Sequence, residues 1–372
     1  MTYRGAVILI SALIASAAAD ETGCASTDAD LEPLYSAALR PDIEQWKGGA
    51  PYDASRLRGQ LSRDSSSVEV ILIKNNRWFY PYAQVPTDEK WVTEDQRQFQ
   101  LHVKSWNVTF PDTVFHFYTD DGSYCEMTNC SAPSFSVWKH EGSADITLPR
   151  PASPDAETVP AVVAWEKKQP RVFFRGSQAQ RAARLATGDV VAPRSSLVAL
   201  AAREPHKVDA GFRRTDAVAP REAELFKYLA VLDGALGPTG LAGLMRANSV
   251  LLKQPSEWYD FASRALRAGD HYEPIFVRSA DDVLDVMAAL EADEARARAL
   301  AAASTAFAAR FLCDRARILY MRRAVEEYNA LFVNMPALVE DFWRLTQAKM
   351  SSARVSSGDA VRGILRKVWN AG

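Results

Sequence analysis

Three stretches of the chain hold residue types that could do chemistry. The first is Arg171-Val172-Phe173-Phe174-Arg175-Gly176-Ser177. Its β-branched and aromatic run lacks alternation and reads as a strand covered on both faces. Arg175-Gly176-Ser177 then forms a turn with an unhindered backbone and a hydroxyl. Such a junction can offer N–H groups and a cation to a phosphate, though the same block suits a purely structural turn. The second is Asp120-Asp121-Gly122, directly after the apolar run Thr113 to Tyr118. Open α/β sheets place functional carboxylates at strand ends, but Asp-Gly is equally a common turn signal. The third, Asp28-Ala29-Asp30, has the spacing of a metal–nucleotide motif and reads as a solvated helix start. The five histidines are scattered, and no Cys or His cluster has the ligand spacing of a zinc site.

The elements that must position these residues follow from hydrophobic period. Leu31 to Trp46 has helical spacing and ends at Gly48-Gly49. Val68 to Ile73 and Thr113 to Tyr118 read as strands, Trp78 to Tyr82 as a strand or aromatic loop, and Gln96 to Val103 as a short helix. Beyond Arg171 to Ser177, strands at Lys227–Gly234, Ser249–Lys253 and Tyr272–Val277 alternate with helices. The helices are Arg194–Arg203, Leu241–Ala247, Trp258–Leu266 and one from Asp281-Asp282 to Leu290. That alternation implies a mostly parallel, doubly wound sheet with a ligand site at strand carboxyl ends. From Asp293 the pattern is helical: Ala295 to Phe311, Ala316 to Phe332, a helix from Pro336, and an amphipathic one over Val361 to Trp369.

The chain has 372 residues, 48% of them hydrophobic, with a formal net charge of -2. The length suits two domains, and the balance of charge argues against a nucleic-acid partner. Met1 to Ala19 combines a basic Arg4, an apolar core from Val7 to Ile14 and Ala17-Ala18-Ala19 before Asp20. This reads as a cleaved secretory signal peptide, too short to span a bilayer. No membrane span is expected after cleavage. The chain ends Trp369-Asn370-Ala371-Gly372 without a lumenal retrieval tetrapeptide, which leaves endoplasmic reticulum, Golgi and secretion open. In an oxidising lumen the four cysteines favour disulfides: Cys125 with Cys130, and Cys24 with Cys313 as the remaining option. Asn107-Val108-Thr109 is a glycosylation sequon. Residues 149–160, rich in Pro, Ala and Asp, read as a linker. The expected division is 1–19 signal peptide, 20–150 N-terminal α/β domain, 151–160 linker, 161–335 C-terminal Rossmann-like domain and 336–372 helical extension.

Over about Pro111 to Phe332 the chain resembles glycosyltransferase family 90, which contains Rumi-type protein O-glucosyltransferases and capsule-associated xylosyltransferases. The ordered signals are Phe174-Arg175-Gly176-Ser177; Arg194 with Pro205 and Val208-Asp209-Ala210; Lys227-Tyr228-Leu229 running to Asp233-Gly234; Asn248-Ser249-Val250; Glu257-Trp258 with Asp260-Phe261; and His271-Tyr272-Glu273-Pro274-Ile275. The resemblance implies a GT-B enzyme, with two Rossmann-like domains facing across a cleft, and no obligatory metal or cofactor. The donor would be UDP-glucose or UDP-xylose, and the acceptor a hydroxyl of a protein or glycan.

The implied donor-binding set is Arg175, Gly176, Ser177, Arg194, Gly234, Ser249 and Asp260. Backbone and hydroxyl donors at Gly176 and Ser177 and a bidentate fork at Arg194 suit a diphosphate leaving group. Arg175 suits a structural ion pair equally well, and His271 reads as a structural member of its block. An inverting transfer needs a base for the acceptor proton. Counting from Pro111-Asp112 puts it at Asp121, with Asp120 as the alternative; Lys139, Asp145-Ile146 and Pro149 support that register. One departure stands out. The family's Ser-x-Arg motif after Asp233-Gly234 falls here at Pro238 and Gly240, so its phosphate-contacting Arg is missing. Arg246 is the candidate replacement, with Arg181 or Arg184 as others. The expectation is a UDP-sugar-dependent O-glycosyltransferase. The alternative is a catalytically weak or inactive relative that binds a glycan, a nucleotide or a protein. A UDP-sugar hydrolase or epimerase would lack its Gly-x-Gly-x-x-Gly fingerprint.

Overall fold

The computed structural model describes residues 23–57, 68–82, 90–119, 122–128, 130–151, 163–213, 220–235, 237–238 and 240–348. The signal-peptide reading, Asp120, Asp121 and the Val361–Trp369 helix lie outside the described residues. The class is α/β, as expected. The chain forms two compact units: one comprises Met1–Ala37 and Ser153–Leu319, the other Ala38–Ala152 and Tyr320–Gly372.

Each unit has its own five-stranded sheet. In the Ser153–Leu319 unit the order is Val208–Phe212, Gln169–Gly176, Phe226–Val231, Val250–Lys253, Glu273–Pro274, with all pairings parallel. The chain therefore starts in the second strand, steps outward to Val208–Phe212, then returns to build the other three on the opposite side. A winding reversal of this kind leaves a crevice at the carboxyl ends of the two strands that flank it. Here those strands are Gln169–Gly176 and Phe226–Val231. Both are buried on both faces: Val172, Phe174, Tyr228 and Ala230 join one core with Leu197, Val283 and Leu300, while Phe173 stacks on Phe226 with centroids 4.5 Å apart.

The other unit's sheet is mixed. Val68–Lys74 runs antiparallel to both Arg77–Phe79 and Thr113–Tyr118, and the last two strands, Phe135–Ser136 and Ile146–Thr147, join in parallel. The Asn75-Asn76 turn supplies the hairpin, with both residues at positive φ. Thr113–Tyr118 lies at the centre and is buried throughout. Its Phe115 meets Trp78, Phe135 and Tyr328 edge-on.

Two segments depart from the simple division expected around residues 151–160. Residues 23–37 belong with the later unit. Within that unit Cys24 is bonded to Cys313, and Ala25 N donates to the Arg310 carbonyl at 2.8 Å. Residues 320–348 belong with the earlier unit, where Tyr328 packs on Phe115 and Phe135. Cys125 and Cys130 are also bonded.

Three elements differ locally from their sequence expectation. The Leu31–Trp46 helix is divided into Asp28–Leu34, a π turn Tyr35–Leu39 and Arg40–Lys47; Pro41 has no N–H to continue the ladder. Trp258–Leu266 is an extended pair, Trp258–Tyr259, and one 3-10 turn, Ser263–Ala265, instead of a helix. The Asp260 carboxylate takes the N–H groups of Ala262 and Ser263 at 3.1 and 2.6 Å, so a side-chain turn displaces the helix. The Tyr272–Val277 strand shrinks to Glu273–Pro274, because after Ile275, whose N–H still reaches the Lys253 carbonyl, Asp282 binds the N–H groups of Phe276, Val277 and Arg278. Asp28-Ala29-Asp30 is a helix start: Thr27 and Asp30 form a capping box.

Candidate functional site

The winding reversal brings Gly176-Ser177 and Leu232-Asp233 to the carboxyl ends of adjacent strands. Arg194 joins them. It sits in the first turn of the Pro193–Arg203 helix and is 2% exposed. Its Nη1 donates to the Ser177 carbonyl at 3.0 Å and to Ser177 Oγ at 3.1 Å; its Nη2 donates to the Leu232 carbonyl at 3.0 Å. The guanidinium also lies over the Phe174 ring. Gln180 holds the helix start, its Oε1 accepting from the N–H groups of Arg194 and Ser195 at 2.8 and 3.2 Å. A rigid fork thus spans the crevice. As acceptor of an Arg194 bond, the Ser177 hydroxyl is the donor for its own proton.

The other residues expected near the donor are sorted by strand direction. Gly234 lies in the turn after Phe226–Val231, its N–H toward the Gly237 carbonyl at 3.4 Å. Asp260 stays on the carboxyl-end side, within electrostatic reach of Lys253, while it holds its own turn. Arg175 is drawn aside: Nη2 pairs with Asp209 at 2.5 Å and the guanidinium covers Phe173. The structural ion pair is thus the arrangement present.

Ser249 requires a correction. It precedes the Val250–Lys253 strand, and in a parallel sheet that puts it at the amino end, opposite Ser177. It is fully buried; its Oγ donates to the Phe226 carbonyl at 2.7 Å and accepts from Lys168 Nζ at 3.1 Å. Lys168 is held by the Glu224 and Ala247 carbonyls as well, and burial pulls its ammonium down to about 8.

Arg246 needs the same correction. The Leu241–Met245 helix carries it to the start of that strand, where Nη2 donates to the Leu312 carbonyl at 2.9 Å. It therefore does not stand in for a cation at Gly240. Arg181 does reach the loop: Nε donates to the Ala235 carbonyl at 2.6 Å and the guanidinium covers Trp258. Arg184 bonds the Gly188 carbonyl in its own turn. His271 is a structural residue, its Nδ1 accepting from Arg267 N at 3.0 Å beside Phe307.

Two residues at the same strand ends were given no role at the site by the sequence reading. Asp233 is 4% exposed, and its Oδ1 lacks a hydrogen-bond partner. Burial pushes its carboxyl up to about 6, against the opposing influence of Ser256, Lys253, Arg194 and Arg181. Lys253 closes its strand at 8% exposure, its ammonium pulled down by burial against Asp233 and Asp260. The available signal was a charged residue at the end of the apolar run Val250 to Leu252.

In the other unit, Asp145 accepts the N–H groups of Tyr124 and Cys125 at 3.1 and 3.0 Å and the hydroxyls of Ser136 and Ser143. Burial pushes its carboxyl up, opposed by those donors and by Lys139. Lys139 Nζ pairs with Asp42 at 2.7 Å and donates to the Asp145 carbonyl at 2.9 Å, while Thr147 donates twice to Asp42. This buried hub fixes the start of the Tyr124–Thr128 helix, just after the acidic pair. His116 packs at a tilt against Tyr124 with centroids 4.0 Å apart, kept neutral by a burial that lowers it to about 3. Among the described residues no three His, Cys, Asp or Glu side chains converge to hold a metal ion.

Comparison with known proteins gives concordant matches. The model of "Glycosyl transferase family 90" matches residues 94–366. Protein O-glucosyltransferase 3 of Rattus norvegicus is 25% identical over 202 residues, 51% of this chain and 37% of that protein. The O-glucosyltransferase rumi homolog of Anopheles gambiae is 28% identical over 138 residues, 33% of this chain and 32% of that protein. The chain thus spans about a third of the length of the curated relatives it matches. Anabaena HepE, solved in complex with UDP, aligns at 14% identity and a TM-score of 0.26 over 36% of this chain and 35% of its own; so low a score leaves the fold to stand on the strands described above. With its family model matched over well over half of its length, the chain belongs to glycosyl transferase family 90.

Proposed function

We propose that the protein is a UDP-sugar-dependent O-glycosyltransferase that moves glucose, or alternatively xylose, to a hydroxyl of a protein or glycan. The observation that carries this reading is the Arg194 fork across Ser177 and Leu232 at the winding reversal. Preorganised donors at such a point suit the charge that develops on a departing diphosphate. Family membership and the printed names of the O-glucosyltransferase relatives favour glucose.

In the proposed step a carboxylate takes the acceptor proton as the acceptor oxygen bonds to the sugar's anomeric carbon. The bond from that carbon to the β-phosphate oxygen breaks, and UDP leaves with the bonding pair. A single displacement of this kind inverts the anomeric centre. Asp121 is the proposed base, with Asp120 as the alternative. Gly176, Ser177 and Arg194 bind the diphosphate, Gly234 borders it, and no metal is required. The two α/β units then correspond to the domain pair of the GT-B plan. Two disulfides suit a lumenal compartment of the secretory pathway, and no helix among the described residues is long and apolar enough to cross a membrane.

Calorimetry with UDP, followed by transfer and hydrolysis assays over a UDP-sugar panel, tests this reading. Binding and turnover are expected, with the rate in Asp121→Asn lowered about 10²-fold or more. Absence of UDP binding overturns it. The second reading, an inactive binding module, is favoured by one feature, the Gly240 loop without its arginine. UDP binding without turnover of any donor would support that reading.

A further inference from the structure

A UDP-sugar brings two negative charges to the diphosphate position, and burying them requires cations nearby. Arg194 is engaged with Ser177 and Leu232, Arg175 with Asp209, Arg181 with Ala235 and Trp258, and Arg246 with Leu312 at the far end of the sheet. The neighbouring strand supplies another cation. Lys253 is paired in register with Val231, two residues before Asp233. It thus stands one strand over from the winding reversal, at the carboxyl end. Its Nζ donates to the Gln254 carbonyl at 3.2 Å and lies 5.5 Å from the centre of the Tyr272 ring.

The surroundings of this lysine are incomplete for a purely structural role. Its ammonium has three donors and is almost fully buried, and both Asp233 and Asp260 act on it electrostatically. Asp260 is committed to the N–H groups of Ala262 and Ser263. Asp233 is held at its backbone, its N–H donating to Gln254 Oε1 at 3.1 Å, and it keeps a buried oxygen without a hydrogen-bond partner. Buried charges are normally paired and satisfied. Contrast Lys139 in the other unit, whose ammonium closes on Asp42 at 2.7 Å.

Building on the glycosyltransferase reading, we propose that Lys253 is a diphosphate-binding residue of the donor site, taking the place of the cation missing at Gly240, with Asp233 as the resident counter-charge that the diphosphate displaces. The ligand class is a nucleoside diphosphate or its sugar ester. Binding exchanges the attraction between Lys253 and Asp233 for one between Lys253 and phosphate oxygens. The uracil and ribose play no part in that exchange.

The experiment is calorimetry of UDP and of uridine against wild type, Lys253→Met and Lys253→Arg at pH 7.5, with thermal melts to confirm folding. Lys253→Met, close in length and without charge, is expected to weaken UDP about tenfold or more, as for loss of a charge-assisted hydrogen bond. Uridine binding should be unchanged, and Lys253→Arg should recover most of the UDP affinity. Unchanged UDP affinity in folded Lys253→Met, or an equal loss for uridine and UDP, overturns the assignment. Should Lys253→Met fail to fold, Asp233→Asn probes the site from its other side. It should tighten UDP several-fold, and unchanged or weaker binding overturns the counter-charge role. Wild-type protein that binds no UDP overturns the glycosyltransferase reading itself, a result distinct from UDP binding that persists in Lys253→Met.

Discussion

Arg194 holds Ser177 at two points, the carbonyl at 3.0 Å and the hydroxyl at 3.1 Å. A lysine in its place could reach one of them but could not span to Leu232 with the same planar fork. Arg194→Lys is expected to lower unfolding free energy by about 2–4 kcal/mol, since buried carbonyls lose their donors. It should also weaken UDP about tenfold. Ser177→Ala should show the binding loss with at most about 1 kcal/mol of destabilisation. Urea denaturation with calorimetry separates the two effects.

Asp233 should tie stability to pH. Its carboxyl is raised from 3.8 to about 6 in the folded protein, so between those values the folded state binds more protons than the unfolded one. Stability therefore falls as pH rises through this window, and the cost is fully present above about 6. Asp233→Asn is expected to be more stable than wild type by about 1–3 kcal/mol at pH 7.5. The difference should shrink toward zero near pH 4. Denaturation curves at both pH values check this, and a variant that is less stable at pH 7.5 contradicts it.

Ser249 should matter for stability alone. Removing its hydroxyl takes one acceptor from the buried Lys168 ammonium and one donor from the Phe226 carbonyl. Ser249→Ala should cost about 1–3 kcal/mol and leave UDP affinity unchanged. A selective loss of UDP binding would return Ser249 to the donor site.

The Lys139–Asp42 pair is a stability hub in the other unit. Both side chains are fully buried, so truncating one leaves an uncompensated charge. Lys139→Ala should cost about 3–5 kcal/mol, while replacing both partners with apolar residues should cost less than the sum of the two single replacements, the remaining loss coming from the Thr147 donors and the Asp145 carbonyl left without partners. A double-mutant cycle in urea measures the difference.

Much of the architecture was legible in the sequence because the signals were local. The run Val172 to Phe174 lacks alternation, and it lies in an interior strand covered on both faces. Ser177 and Arg194 were identified together through their family spacing, and they meet. What was not legible depended on strand direction and on side chains that compete with the backbone. Ser249 was grouped with the donor residues, yet it precedes its strand and lies at the opposite end from residues that follow theirs. Lys253 passed as the last residue of an apolar strand, although the same rule of direction places it beside Asp233. Trp258 to Leu266 has helical spacing, but Asp260 satisfies the N–H groups that a helix would need to bond elsewhere. Asp282 does the same to the strand expected after Pro274.

Gly240 precedes the Leu241–Met245 helix with φ at +83°, and a Cβ built there meets nothing within 4 Å. The obstacle to a side chain at this position is thus the backbone alone, with a penalty of about 1–2 kcal/mol for a left-handed L-residue. Grafting an arginine onto Gly240 would therefore fight the local chain path even though there is room for it. A redesign meant to strengthen donor binding would do better to exchange the whole 234–240 segment, or to elaborate the chemistry already present at Lys253.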